Sequence, residues 1–247
     1  MLPRGRTQEA LGGWILAAAL AAATPAAASS FSIAPIRIEM GSGHARGVLT
    51  LRNDGDAPVT VQVDSVAWSQ PQGTDQYTAT PDLITTPPLF VVAAKSQQIV
   101  RVALRRDADA TRELAYRLFF AEVPQTADPG LNGLRMSLRI GVPVFVAPAT
   151  SKAAPALKWQ AMITGPGELE IEARNQGTGH QQVAGFELKS ASQPQPVRVS
   201  DARYVLPGSA VSWKVRLPKG FDPSLPLHIH GQSDQGEISA DIVRLGP

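Results

Sequence analysis

From Phe31 onward, apolar residues alternate with polar ones in runs of five to nine positions, and clusters of Gly, Pro, Asn and Asp separate the runs. A period of two belongs to strands with one buried face. The pattern predicts strands at Val48 to Leu51, Val59 to Trp68, Ile99 to Leu104, Tyr116 to Val123 and Leu134 to Val146. In the second half it predicts Leu169 to Ala173, Val183 to Leu188, Val211 to Leu217, Leu225 to Ile229 and Ile238 to Val243. Outside the first residues of the chain no segment carries a convincing 3.6-residue stripe. The expected fold class is therefore all-β.

A break falls at Ala147 to Pro155, where PATSKAAP joins two prolines to small and polar residues. It divides the chain into stretches of similar length, read as 29–149, a linker at 150–155, and 156–247. A faint repeat supports two units. LTLRNDGDAPVTV (Leu49 to Val61) and IEARNQGTGHQQV (Ile171 to Val183) share an Arg-Asn-x-Gly turn followed at equal distance by Val. Two immunoglobulin-like β-sandwiches of about seven short strands each fit this spacing.

The amino terminus changes the compartment. Arg4 and Arg6 precede an apolar stretch from Trp14 to Ala23, then Pro25 and Ala26-Ala27-Ala28. This is the layout of a secretory signal peptide, expected to be cleaved near Ala28, and an apolar core of about ten residues is too short for a membrane span. Removal of residues 1–28 takes away Arg4, Arg6 and Glu9 and leaves 21 basic and 20 acidic side chains. Clustered Lys and Arg interleaved with aromatics are missing, so no nucleic-acid partner is expected. With no Cys in the chain, neither disulfides nor thiolate chemistry contribute. The 21 Gly and 21 Pro agree with many turns.

Candidate chemistry is sparse, and no enzyme, cofactor or metal is expected. No G-x-S-x-G, H-E-x-x-H, P-loop or dinucleotide glycine motif occurs. His228 and His230 would share a strand face, which suits a metal, but Leu227 and Ile229 read equally as the core face with the histidines in water. Glu168, Glu170 and Glu172 alternate along one strand face and read as solvated. Trp68, Trp159 and Trp213 fall in expected strands, where core packing outweighs a ligand platform.

The segment with most content is GLRMSLRIGVPVFVAP, Gly133 to Pro148, where Leu134, Met136, Leu138, Ile140, Val142, Val144 and Val146 share one face. A strand of about 14 residues would span more than about 45 Å, taller than a small sandwich. Either the whole row is core, or part protrudes as an apolar edge able to pair with another chain. Pro143 favours the edge, because proline cannot donate to a central ladder.

These residues resemble the periplasmic pilus chaperones with the PapD-like fold. FSIAPIRIEM looks like that family's first strand with its basic residue at Arg37, and GVLTLRNDGDAPVTVQVDSVAW like its B and C strands with an Asn turn and a terminal Trp. PPLFVVAAKSQQIVRV, with Arg101, resembles the stretch that follows, and YRLFFAEVP the F strand ending at Glu122 and Pro124. The likeness covers about 120 residues and is weaker over the carboxyl-terminal half. RIGVPVFVAP resembles the archaic, Csu-type branch.

The resemblance implies two sandwiches set in an L or boomerang, and a periplasmic chaperone that caps pilus subunits by donor-strand complementation before delivery to an outer-membrane usher. It implies a donor strand over Leu134, Met136, Leu138, Ile140 and Val142. It also implies a cationic anchor for the client's terminal carboxylate. Arg37 matches one half of that anchor; the family's Lys position falls on Pro143, so Arg117 is the expected replacement and Arg139 the second choice. Glu113 matches the acid of the family's interdomain charge cluster, while the partnering Arg position falls on Ala147. Self-association through the apolar edge is expected when client is absent. The competing reading is a periplasmic or surface β-sandwich that binds a glycan or protein as an adhesin module; a hydrolase using His228 and His230 is a third.

Overall fold

The computed structural model describes residues 31–41, 44–124 and 137–244. The expected leader, 1–28, and Leu134 and Met136 of the apolar row lie outside the described residues. The chain is all-β among these residues, apart from one short 3-10 turn at Pro71–Gly73.

The first half contains β1 (Phe31–Ala34), β2 (Ile38–Met40), β3 (Arg46–Asn53), β4 (Val59–Ser69), β5 (Gln76–Ala79), β6 (Leu83–Thr86), β7 (Leu89–Val92), β8 (Gln97–Leu104), β9 (Leu114–Glu122) and β10 (Arg139–Val146). They form two sheets, β1-β3-β8-β6 facing β2-β10-β9-β4-β5, with β7 also on β4. Alternation does what a period of two requires: Leu49, Leu51, Val61, Val63, Val100, Val102, Leu118 and Phe120 point inward and close one core. The second half contains β11 (Leu157–Gly165), β12 (Glu168–Asn175), β13 (Gln181–Ser190), β14 (Gln193–Val199), β15 (Arg203–Val205), β16 (Ala210–Arg216), β17 (Leu227–Ser233), β18 (Gly236–Asp241) and β19 (Val243–Arg244). Its sheets are β16-β12-β11-β19 and β14-β13-β17-β18, with β15 on β13. Trp159 stacks on Trp213 in this second core, and Phe186 meets both rings edge-on.

The repeated Asn turn has one physical purpose in both halves. Asn53 is 2% exposed; its Nδ2 donates to the carbonyls of Ala57, Val92 and Ala93, and its Oδ1 accepts from Gly55 N. Asn175 is fully buried; its Nδ2 donates to Gly179 O and Val205 O, and its Oδ1 accepts from Gly177 N and Ala156 N. Each amide closes a turn and ties it to a second chain segment.

Strands β1, β2, β5, β6, β7, β11, β14 and β15 lie outside the segments that alternation predicts. All four residues of β5 are exposed, so it carries no inward face to detect. Pro194 and Pro196 hide β14, which the sheet tolerates because β14 is an edge strand.

Candidate functional site

The chain reaches β10 from residues beyond the described ones, and the pairing of β10 is uneven. Against β9 it is antiparallel along its whole length, Arg139 opposite Ala121 through Val146 opposite Leu114. Against β2 it is parallel and paired only at Val144, Phe145 and Val146. From Arg139 to Pro143 the side of β10 away from β9 therefore has no strand neighbour among the described residues. Pro143 sits at the junction of the two regimes, where a missing N–H costs no ladder bond on the open side.

The apolar row does not behave uniformly. Leu138 is 36% exposed, Ile140 is partly buried against the first core, and Val142, Val144 and Val146 are buried within it. Val142, expected in the offered part of the row, is 1% exposed and fills its own sandwich. The offered apolar surface among the described residues thus stops at Ile140, because β2 closes the core beyond that point.

The opposite face of this sheet carries a row of cations and rings. Arg139 lies 3.8 Å over the Phe119 ring, Phe119 meets Tyr77 edge-on at 5.1 Å, and Arg117 lies 4.4 Å over Trp68. Gly141 makes room for the row, since a Cβ there would stand 3.1 Å from Phe119 and 3.2 Å from Arg117. Arg117 Nη1 donates to the Tyr77 hydroxyl at 2.6 Å, whereas its buried Nε has no hydrogen-bond partner. Asp75 holds the row from behind, accepting from Trp68 Nε1, Gln70 Nε2 and the Tyr77 hydroxyl.

Where this row ends, the second sandwich begins. Trp68 is buried, as its strand position suggested, yet it packs with Phe145 and Leu206 between the sandwiches rather than in either core. Tyr204 of β15 meets Trp68 edge-on at 5.3 Å. The Gln70 amide bridges the two halves, donating to Tyr204 O and accepting from Leu206 N. His180 stacks on Phe145 at 3.4 Å and 7°. A cavity of about 510 Å³ opens here, lined among others by Gln70, Asp75, Arg117, Gln182, Arg203 and Tyr204.

Arg37 does not stand free. Its Nη1 is 2.6 Å from Asp234 Oδ2 and its Nε 3.0 Å from Glu39 Oε1. Burial opposes its charge, but Asp234 and Glu39 outweigh burial and hold the guanidinium above its ordinary value. Tyr204 places Arg37 and Arg117 in one neighbourhood: burial raises its phenol above the ordinary value, while the charges of both arginines pull the other way. Arg139 lies at the far end of the aromatic row, over Phe119.

Glu113 has a partner that the chain's order conceals. With Ala147 at the expected Arg position, the partner is instead His180, 67 residues away, whose Nδ1 lies 2.6 Å from Glu113 Oε1. Ala147 uses only its N–H, donated to Met40 O. Elsewhere, His228 and His230 are side by side but turned to carboxylates, Asp241 at 2.8 Å and Glu237 at 3.2 Å. Among the described residues no group of three or more potential ligands could hold a metal. Glu168 and Glu172 pair with Arg216 and Arg174 on the outer face of β12.

Residues 30–152 match the family model described as pili and flagellar-assembly chaperone, PapD N-terminal domain. No curated protein matches the chain by sequence. Among solved structures, a chain of the CsuC–CsuE chaperone–tip adhesion subunit pre-assembly complex from archaic Csu pili of Acinetobacter baumannii is similar, at 19% identity and TM-score 0.67, over 88% of this chain and 100% of that one. The YadV chaperone is similar at 22% identity and TM-score 0.61, over 85% and 98%. A chain of the Salmonella enterica SafA pilin–SafB chaperone complex follows at 17% and 0.59, over 89% and 98%. At these identities the likeness is one of fold, and that fold is the two-sandwich one. The family match spans the first sandwich from before β1 to beyond β10, and through it the chain belongs to the PapD-like family of pili and flagellar-assembly chaperones.

Proposed function

We propose that this chain is a non-enzymatic, ATP-independent chaperone of the periplasm that caps pilus subunits by donor-strand complementation and passes them to an outer-membrane usher. The observation that carries this reading is the half-open β10: a ladder edge with no partner strand from Arg139 to Pro143 among the described residues, with the exposed Leu138 and part-buried Ile140 beside it. A subunit missing one strand presents an apolar groove and unpaired backbone, and such an edge answers both needs at once. Fully burying a Leu or Ile side chain is worth about 1.5 to 3 kcal/mol, so the row supplies affinity. The preceding Leu134 and Met136 extend the donor strand in this proposal, whereas Val142 anchors it in its own core.

Register comes from the cleft. Arg117, with an unmet Nε beside the cavity, is the first candidate for the client's terminal carboxylate. Arg37 completes the pair from across Tyr204, and Arg139 steers from the outer end. Pro143 in place of a lysine and the similarity to the Csu complex favour the archaic branch. Without client, a second copy of the chain can cover the same edge.

The test is co-expression of the chain with a pilus subunit, measuring recovered complex. Leu138→Asp places a charge in the groove and should reduce recovery at least tenfold, and Arg117→Ala should do so severalfold. Undiminished recovery with Leu138→Asp, Arg117→Ala and Arg37→Ala removes the mechanism.

A further inference from the structure

The contact between the sandwiches contains a buried imidazole set between two carboxylates. His180, at the start of β13, is 5% exposed, with Nδ1 2.6 Å from Glu113 Oε1 and Nε2 3.5 Å from Asp234 Oδ2. Glu113 belongs to the first sandwich and receives His180 N as well, at 2.9 Å. A neutral imidazole carries one N–H, so one of its two nitrogens would turn a lone pair toward a carboxylate. Only the protonated ring can turn an N–H to both sides, closely to Glu113 and, at 3.5 Å and without a formed hydrogen bond, to Asp234. Burial works against that charge, yet Asp234 and Glu113 prevail and raise the His180 pKa above the ordinary imidazole value.

Asp234 then links this ring to the cleft. Its Oδ2 also receives Arg37 Nη1 at 2.6 Å, and its Oδ1 receives Gln182 N at 2.8 Å. Burial pushes the Asp234 pKa up, but His180, Gln182 N–H and Arg37 together hold it below the usual carboxylate range. The charges alternate along the row: Glu113, His180, Asp234, Arg37, Glu39. Further ionisable neighbours are Tyr204, its ring centroid 5.8 Å from that of His180, and Arg112, next to Glu113 in the chain, whose guanidinium lies against Gly208. With His180 neutral, Asp234 keeps its full charge for Arg37 and draws the guanidinium away from an arriving anion. With His180 protonated, Asp234 is shared, and Arg37 presents more of its positive charge to the cleft.

We propose that His180 and Asp234 are positioning residues for Arg37, and that the imidazole makes both the clasp between the sandwiches and the capture of a client carboxylate respond to proton concentration. The proposal rests on the reading of Arg37 as a cleft residue for client. The dependence has one direction: capture is firm on the acid side and weakens as pH rises through the His180 pKa.

Two measurements separate this proposal from the function beneath it. In the free, full-length chain, imidazole signals are followed by NMR from pH 5.5 to 9, with His180 identified by its loss in His180→Gln. The wild-type advantage in unfolding midpoint over His180→Gln is read across the same range. His180 should titrate above the ordinary imidazole value, and the advantage should be largest near pH 6 and fall away as pH rises through the raised value. In the second arm, capture of a co-purified pilus subunit is measured across that range. One proton changes an equilibrium by at most about tenfold per pH unit, so capture should fall severalfold to tenfold from pH 6 to pH 9 in wild type. It should stay within about twofold in His180→Gln and His180→Arg. Asp234→Asn removes the charge through which the imidazole acts on Arg37, so its capture should also stay within about twofold across the range. Ordinary titration of His180 with a pH-independent stability difference overturns the clasp, whether or not subunits bind. Capture by wild type that is flat with pH overturns the coupling to client. No capture at any pH, with the NMR result as expected, overturns the client reading and leaves the clasp standing.

Discussion

Replacing Asn53 by Ala tests whether the repeated turn holds the first sandwich together. The 2%-exposed amide makes three donor contacts, to Ala57 O at 2.8 Å, Val92 O at 3.1 Å and Ala93 O at 3.1 Å, and accepts from Gly55 N at 2.9 Å. Two N–H groups share three carbonyls, so about three full hydrogen bonds are at stake, each with a net value near 1 kcal/mol. Carbonyls left unpaired in a site that excludes water add to this, giving an expected loss of about 3 kcal/mol. Asn53→Asp separates hydrogen bonding from shape. It keeps the acceptor for Gly55 N but turns a second oxygen toward the carbonyls of Ala57, Val92 and Ala93. Repulsion from those oxygens disfavours the charged carboxylate, so its folded pKa rises. Asn53→Asp should be less stable than Asn53→Ala at pH 7 and recover as pH falls through that raised value. Urea unfolding followed by far-UV circular dichroism measures both, and Asn175→Ala provides the internal comparison. Trp159 and Trp213 lie in the second core, so their fluorescence should follow Asn175→Ala more closely than Asn53→Ala. A loss below about 1 kcal/mol for Asn53→Ala, or an Asn53→Asp protein as stable at pH 7 as the wild type, would refute the reasoning.

Gln70→Ala removes the bond to Tyr204 O and the acceptor of Leu206 N, and should cost about 1 to 3 kcal/mol while increasing protease cleavage between the sandwiches. Unchanged cleavage and melting would remove Gln70 as a bridge. All three tyrosines have phenols raised above their ordinary value, Tyr77, Tyr116 and Tyr204 each first by burial. The folded state therefore holds protons that the unfolded chain has released, so their contribution is full below pH 10 and lost as pH rises through the folded values. Absorbance titration at 295 nm should show little phenolate at pH 10 in the folded chain and about half ionisation in denaturant.

The strands were readable wherever one face is buried and the other wet, as in β3, β4, β8, β9, β12 and β13. The Asn turns were readable too, because Asn53 and Asn175 do local work with Gly two residues on. Sequence could not show where the apolar row stops being core. Val142 and Ile140 share a face and a chemistry, and only the short reach of β2 along β10 separates the buried residue from the half-offered one.

The cleft was half readable for a related reason. Arg37, Arg117 and Arg139 announce themselves as charges on strands expected to be apolar, but a charge's meaning lies in its partner. Arg37 meets Asp234 across 197 positions, and His180 meets Glu113 across 67. No periodicity links such residues, since each lies at a strand end where alternation has ceased. The sandwiches are fixed by many equivalent apolar contacts, which pattern detects. Their junction is fixed by a few singular ones: the Gln70 amide, the His180 ring on Phe145, and a row of alternating charge. A contact surface held by few, partly ionic groups is also the one that solvent conditions can shift, because removing a single proton changes a large share of what holds it. The part of this chain hardest to read from sequence is therefore the part on which the proposed responses to client and to pH depend.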